Sequence, residues 1–116
     1  MKQVRPTRFY SNKQEKKVAK SLGGKQVPNS GATPYQKGDV QTSQFLIECK
    51  TVIRKQKQVT VYKEWLEKNR EEAFAMNKPY NAVTFDFGDG EQFYIINESL
   101  FKQLVKMLEE ENELST

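Results

Sequence analysis

Two carboxylates and one amine stand close together in a mostly apolar stretch of the chain. Asp39 follows Gly38, and Glu48 and Lys50 lie two residues apart in the segment FLIECKT. Carboxylate oxygens are the hard ligands that magnesium and manganese prefer. Charges on an apolar strand are costly unless they are used. The pattern therefore indicates a divalent-cation site at Asp39 and Glu48, with Lys50 placed to steer or activate a water. The alternative is a plain Glu48–Lys50 salt bridge on an exposed strand face.

The segment around Glu48 has the alternation of a β-strand, which we predict over residues 45–52. Because successive side chains of a strand point to opposite faces, Glu48 and Lys50 share one face with Leu46. The other face, toward a core, takes Phe45, Ile47 and Cys49. This placement predicts a buried thiol at Cys49 rather than a nucleophile.

The composition limits the classes of protein to which the chain can belong. Its 116 residues fit a single domain, 1–116, with one core. One cysteine excludes an internal disulfide and fits a reducing compartment, and the lack of histidine excludes His-dependent triads and histidine zinc sites. No apolar run is long enough to cross a membrane, and the N-terminus lacks an apolar signal segment. We therefore expect a soluble, cytoplasmic protein of a bacterial, archaeal or phage-infected cell.

The net charge of +4 conceals a strong division between two parts of the chain. Residues 1–63 carry 14 Lys or Arg and 3 acids, a net +11, whereas residues 64–116 carry 5 basic and 12 acidic residues, a net −7. A basic region of this kind is typical of a nucleic-acid-binding surface, the alternative being an ordinary solvated surface. The acids of the basic part are Glu15, Asp39 and Glu48. Carboxylates repel phosphates, so a phosphate-binding surface should lack acids that have no functional role. The presence of these three acids therefore strengthens the interpretation of Asp39 and Glu48 as a cation site.

Several groups in the basic part are candidates for contact with a DNA backbone. Residues 1–10 form a basic arm, and residues 54–58 have the sequence RKQKQ, which predicts an exposed loop. The NSG turn at 29–31 offers backbone N–H groups and the Ser30 hydroxyl to a phosphate. The candidate DNA-binding residues are Arg5, Arg8, Lys13, Lys25, Ser30, Lys37, Arg54, Lys55 and Lys57.

The first element that must position the site is a helix, predicted over residues 11–22. Ser11 and Gln14 have the spacing of a capping box, and two glycines follow the helix at 23 and 24. Glu15 lies one turn before Val18 on the apolar stripe, near the buried edge, where it could face the cation. The alternative for Glu15 is a surface acid paired with neighbouring lysines.

The remaining elements are a second helix over residues 60–77, a hairpin and a last helix. The predicted apolar face of the second helix comprises Tyr62, Trp65, Leu66, Ala73 and Phe74. Strands over 82–87 and 92–96 are joined by a GDG turn at 88–90. Asn97 is the predicted cap of the last helix, whose acidic end at 109–116 is expected to fray. The residues of this helix that we expect to face inward are Leu100, Phe101, Leu104, Val105 and Leu108.

The order of these features resembles that of the PD-(D/E)xK nuclease superfamily. A helix with a glutamate, an NSG turn, Gly38-Asp39, and Glu48-Cys49-Lys50 on a strand are followed by a further helix. Within the superfamily, the chain is similar to the small Holliday junction resolvases of archaea and their phage-encoded relatives. The likeness covers about residues 11–77, and Gly38 stands where the family often has a proline.

The resemblance implies a fold, an activity and roles for individual residues. The implied fold is an α/β domain with a mixed central β-sheet flanked by helices, as in restriction endonucleases. The implied activity is hydrolysis of DNA phosphodiesters with magnesium or manganese, held by Asp39, Glu48 and the Cys49 carbonyl. Lys50 resembles the catalytic lysine, Glu15 the helix glutamate that completes the site, and Ser30 the serine that meets the scissile strand.

The substrate implied by the resemblance is a branched duplex, above all a four-way junction. The alternatives are a phage-type replication or repair nuclease that nicks flaps or damaged DNA, and a DNA-binding protein that no longer cuts. Because a junction must be cut on two opposed strands, we expect a two-fold homodimer. The last helix and the hairpin carry apolar surface for its interface.

Overall fold

The structure, a computed structural model, describes residues 7–28 and 38–115. Within these residues one five-stranded sheet has the order β1 (Lys25–Gln26), β2 (Gly38–Gln41), β3 (Phe45–Cys49), β4 (Tyr80–Phe85) and β5 (Phe93–Ile95). Three helices flank it: α1 (Thr7–Leu22), α2 (Lys63–Ala75) and α3 (Glu98–Ser115). The predicted α/β class with a mixed sheet flanked by helices is therefore confirmed. No helix in the described ranges is long and apolar enough to span a membrane.

The central strand β3 has one antiparallel and one parallel neighbour. It pairs antiparallel with β2 and parallel with β4, and α2 forms the crossover between β3 and β4. β4 and β5 form the predicted antiparallel hairpin, and the turn glycines Gly88 and Gly90 have positive φ. Flanking strands and helices on both faces leave β3 buried from Leu46 to Cys49.

One face of the sheet packs against α1 and the other against α2. The α1 core comprises Val18, Ala19, Val40, Ile47, Cys49 and Ala82, with Phe45 beside it. This confirms the face predicted for Phe45, Ile47 and Cys49. On the opposite face the buried Asn69 of α2 donates from Nδ2 to the Leu46 carbonyl at 3.4 Å. Asn81 of β4, which is half-buried, donates to Asn69 Oδ1 at 2.8 Å, so a partly buried amide pair joins α2 to the sheet.

The helix α1 begins earlier than its sequence predicted. It starts at Thr7, so Ser11 lies inside the helix and the predicted N-cap there is wrong. Residues 7–10 of the predicted basic arm are helical, and residues 1–6 lie outside the described part of the chain. The predicted end is correct, because Gly23 has φ +68, a conformation that glycine adopts without a Cβ clash.

Two predicted boundaries and one predicted face were wrong in the middle of the chain. β3 ends at Cys49 rather than at residue 52, and α2 covers Lys63–Ala75 rather than 60–77. Ala73 is buried, whereas the side chain of Phe74 is 85% exposed. Adjacent residues of a helix are about 100° apart around its axis, so both could not face the sheet. Tyr62, which precedes α2, is also exposed, while Trp65 and Leu66 are half-buried.

The last helix differs most from its prediction. Asn97 Oδ1 accepts a hydrogen bond from the Leu100 N–H at 2.8 Å, so the predicted cap is confirmed. Leu100 is buried, but the other residues predicted to face inward are exposed: Phe101, Leu104, Val105 and Leu108. The helix continues to Ser115 instead of fraying over 109–116. Periodicity revealed an apolar face, but it carried no information about what that face contacts.

Candidate active site

Asp39 and Glu48 are direct cross-strand partners in the β2–β3 ladder. Directly opposite residues have Cβ atoms about 4.5–5.5 Å apart and share one face of the sheet. The side chain of Glu48 is 1% exposed and Asp39 is half-buried. Two carboxylates at such a spacing repel each other, and a bound cation favours their charged forms. The structure thus brings together the two acids that the sequence singled out.

Lys50 follows the last residue of β3 and turns its amine toward Glu48. Its Nζ lies 3.4 Å from Glu48 Oε1 and 4.5 Å from the centroid of the Trp65 ring. The side chain of Lys50 is 27% exposed, so the amine can be reached from solvent. The salt bridge considered from the sequence therefore exists, but its carboxylate is buried instead of lying on an exposed strand face.

The main chain of Lys50 is fixed on both sides. Its N–H donates to the Thr84 carbonyl at 2.8 Å, which extends the β3–β4 pairing by one residue. Its carbonyl accepts a hydrogen bond from Gln14 Nε2 at 3.0 Å. The sequence had assigned Gln14 to a capping box, and that interpretation was wrong. The available signal was its position four residues before the buried Val18, on the inward stripe of α1.

Gln14 belongs to a partly buried polar network that no sequence pattern indicated. Its Nε2 also donates to Gln92 Oε1 at 3.0 Å, and its Oε1 accepts from the Thr51 hydroxyl at 3.1 Å. Gln92 accepts from the Thr84 hydroxyl at 3.0 Å and donates to Asp86 Oδ2 at 2.9 Å. These bonds join α1, the residues after β3, and the β4–β5 hairpin into one support for the strand end that carries Lys50.

Glu15 and Cys49 lie where α1 meets the end of β3. Both side chains are buried. Burial raises the pKa of the Cys49 thiol far above its ordinary value. The negative charges of Glu15, Asp39 and Glu48 raise the pKa of this thiol further. The thiol therefore stays protonated at neutral pH, which agrees with the predicted inert cysteine.

The arrangement fits magnesium bound by two carboxylates. In the described ranges, no group of three or more His, Cys, Asp or Glu side chains is placed to hold a metal ion. Magnesium commonly uses only one or two protein carboxylates, together with water and substrate phosphate oxygens. Asp39 and Glu48 supply such a pair. Ligation by Glu15 or by the Cys49 carbonyl stays a prediction.

The predicted DNA contacts are only partly described. Lys13, Lys25, Arg54, Lys55 and Lys57 are exposed, and the loop at 54–58 is exposed throughout, as predicted. The Gln56 N–H of this loop donates to the Phe87 carbonyl at 2.9 Å, which ties the loop to the hairpin. Arg5, Ser30, Lys37 and the side chain of Arg8 lie outside the described part of the structure.

The chain matches no known family model, no curated protein and no solved structure.

Proposed function

We propose that the chain is a magnesium-dependent DNA endonuclease with a restriction-endonuclease-like core, and that it cuts four-way (Holliday) junctions. The observation that carries the proposal is the Asp39–Glu48 cross-strand pair with the Lys50 amine 3.4 Å from Glu48. A buried acid, a second acid beside it and a reachable amine form a site suited to a metal and a phosphate. The resemblance in sequence order to the PD-(D/E)xK nucleases supports the same chemistry.

Asp39 and Glu48 would hold magnesium or manganese, with Glu15 and the Cys49 carbonyl as further candidate donors. The ion supplies polarisation of the scissile phosphate and a bound water of lowered pKa. Glu48 has a second task, because its Oε1 also holds the Lys50 amine. The burial of Glu48 strengthens both interactions, since screening by water is weak there.

Lys50 would act on the phosphate directly. Its amine is partly exposed beside the acid pair, where it can donate hydrogen bonds to a phosphate oxygen. Negative charge builds on the phosphate oxygens during attack by water, and a fixed ammonium stabilises that charge. Trp65 below the amine and Gln14 at the carbonyl keep Lys50 in position before substrate arrives.

The basic part of the chain would hold the DNA backbone around this site. The exposed lysines and arginine of residues 54–58 and the exposed lysines of α1 supply charge for phosphates. Because a junction is resolved by two cuts on opposed strands, the working form would be a homodimer with one site in each copy.

The proposal is tested by a cleavage assay on four-way junctions, flaps, nicked duplex and linear duplex, with magnesium and with chelator. We expect paired, symmetric nicks on the junction that disappear in chelator. Cutting of flaps or damaged duplex in preference to junctions would replace the junction assignment with a nicking or repair nuclease. Binding without metal-dependent cleavage of any substrate would make the chain a DNA-binding module and overturn the proposal.

A further inference from the structure

The helix α3 contacts the sheet near its N-terminal end and is exposed after Leu100. Leu100 is buried, and the Tyr80 hydroxyl donates to Gln103 Oε1 at 3.4 Å. Every residue from 101 to 113 is exposed. The exposed set includes the large apolar residues Phe101, Leu104, Val105, Met107 and Leu108, between 39% and 63% exposed. Helical spacing puts these side chains on one continuous, broad face.

Such a face is unfavourable in water. Most helices in proteins depend on the packing of an apolar face rather than on helix propensity alone. Large contiguous apolar patches on a protein surface mark interaction sites. The apolar residues of α3 therefore require a partner surface, and the described part of the chain does not supply it.

We propose that α3 packs antiparallel against α3 of a second copy of the chain. The first half of the helix carries Lys102, Lys106 and one acid, Glu98, a net +1. The charged residues of its second half are all acids, a net −4: Glu109, Glu110, Glu111 and Glu113. In an antiparallel pair the basic half of each helix lies beside the acidic half of the other. A parallel pair would place acids beside acids. The same acidic half argues against DNA as the occupant, because phosphates would be repelled.

The charges and the apolar residues specify the same register. Lys102 and Glu109 are seven residues apart, so they lie on the same flank of α3. Their midpoint falls between Val105 and Lys106, inside the apolar stretch from Leu100 to Leu108. A two-fold axis at that midpoint would bring Lys102 of each copy to Glu109 of the other while the apolar faces meet. Lys102, whose Nζ lies 3.3 Å from Glu98 Oε1 of its own helix, would then lie between two carboxylates. The same axis sets Glu98 opposite Glu113 at the ends of the pair, where both side chains are exposed and water screens their repulsion. This self-complementary arrangement is what a closed two-fold interface requires.

The inference does not rest on the nuclease proposal, and its test uses neither DNA nor metal. Sedimentation equilibrium of the full chain at micromolar concentration should give a dimer. Leu104→Glu places a charge in the interface and should raise the dimer dissociation constant at least about 100-fold. A monomeric wild-type chain, a larger assembly, or a Leu104→Glu variant that dimerises normally would overturn the inference.

A charge exchange tests the antiparallel arrangement and leaves the apolar residues unchanged. Lys102→Glu and Glu109→Lys should each weaken the dimer by about five- to tenfold, and the double variant should restore it. A parallel pair predicts no such restoration, because like charges would still meet. Lys102→Glu also breaks the exposed Lys102–Glu98 pair within α3, whose charged atoms are 3.3 Å apart. Lys63→Glu breaks the comparable exposed Lys63–Glu67 pair on α2, at 3.7 Å, and should leave the dimer unchanged. Failure of the double variant to recover would overturn the antiparallel register.

Discussion

Lys50 is positioned by residues from four separate parts of the chain. Thr84 on β4 and Gln14 on α1 fix its main chain, while Glu48 on β3 and Trp65 on α2 contact its amine. Thr84, Gln14 and Glu48 are buried, and Trp65 is half-buried. The place of the amine is therefore determined by the packing of both helices against the sheet, and not by the strand alone.

Gln14→Met tests this positioning, since it keeps the side-chain length and removes the amide. We expect a loss of about 1–3 kcal/mol in unfolding free energy, because the Lys50 carbonyl loses its donor. Trp65 is the only tryptophan, and its ring lies under the Lys50 amine. In Gln14→Met, the fluorescence of Trp65 should shift toward that seen in Lys50→Met. The cleavage rate of Gln14→Met should fall, while its DNA affinity should stay that of the wild type.

The matched control is Gln26→Met. Gln26 also uses its amide to join the sheet to α1, donating to Asn12 Oδ1 at 2.9 Å, but this bond is exposed and outside the site. It should change neither Trp65 emission nor cleavage. Normal emission and a normal rate in Gln14→Met would contradict the positioning role of Gln14.

At the scale of elements, the loop after β3 is fixed by its contact with the β4–β5 hairpin. Gln56 donates to the Phe87 carbonyl, and the backbone of Arg54 passes directly over Gly88. A Cβ on Gly88 would lie 2.5 Å from the Arg54 carbonyl oxygen. Gly88 also has φ +84, so both its conformation and its surroundings require glycine. The hairpin thus sets the path of the basic loop.

Gly88→Ala should therefore destabilise the fold more than a Gly→Ala substitution whose only cost is the positive φ of the backbone. Gly23 supplies the control, because its φ is +68 and no atom of the described residues lies within 4 Å of an added Cβ. We expect Gly23→Ala to lower the unfolding free energy by about 1–2 kcal/mol. Gly88→Ala should lose about 1–3 kcal/mol more from overpacking. Equal losses in urea denaturation would contradict the close packing of the loop on the hairpin.

Local patterns predicted the elements better than they predicted contacts between elements. The strand with Glu48, the GDG hairpin and the helix end at Gly23 follow from alternation and turn chemistry close in sequence. Gln14 and Asn69 could not be found in this way, since their hydrogen-bond partners Lys50 and Leu46 lie 36 and 23 residues away. The face of α3 was predicted as apolar, but its exposure depends on where the helix leaves the sheet.

At the scale of the whole molecule, charge divides the chain into a basic part and an acidic part. The acid pair lies in the basic part, together with the exposed loop at 54–58. The acidic part contains the hairpin, α3 and all of α2 except its first residue, Lys63. We therefore expect DNA to approach the basic part and a second copy to approach α3.

DNA affinity should fall steeply with salt, because each neutralised phosphate releases counterions. Lys55→Glu together with Lys57→Glu should weaken binding equally on all sequences. The slope of log K against log salt should become shallower by about 2, at roughly 0.9 per lost phosphate contact. Fluorescence anisotropy at several salt concentrations gives this slope. A salt-independent affinity would contradict nucleic acid as the partner of the basic surface.

The most direct test of the acid pair is junction cleavage by Asp39→Asn and Glu48→Gln with magnesium, beside DNA affinity measured in chelator. Both changes keep side-chain size, and Glu67→Gln on the exposed side of α2 is the matched control. Cleavage should be lost in both site variants and kept in the control. Affinity should hold or rise in the site variants, because negative charge near the phosphates is removed. Cleavage near the wild-type rate by either site variant would contradict the metal-dependent site.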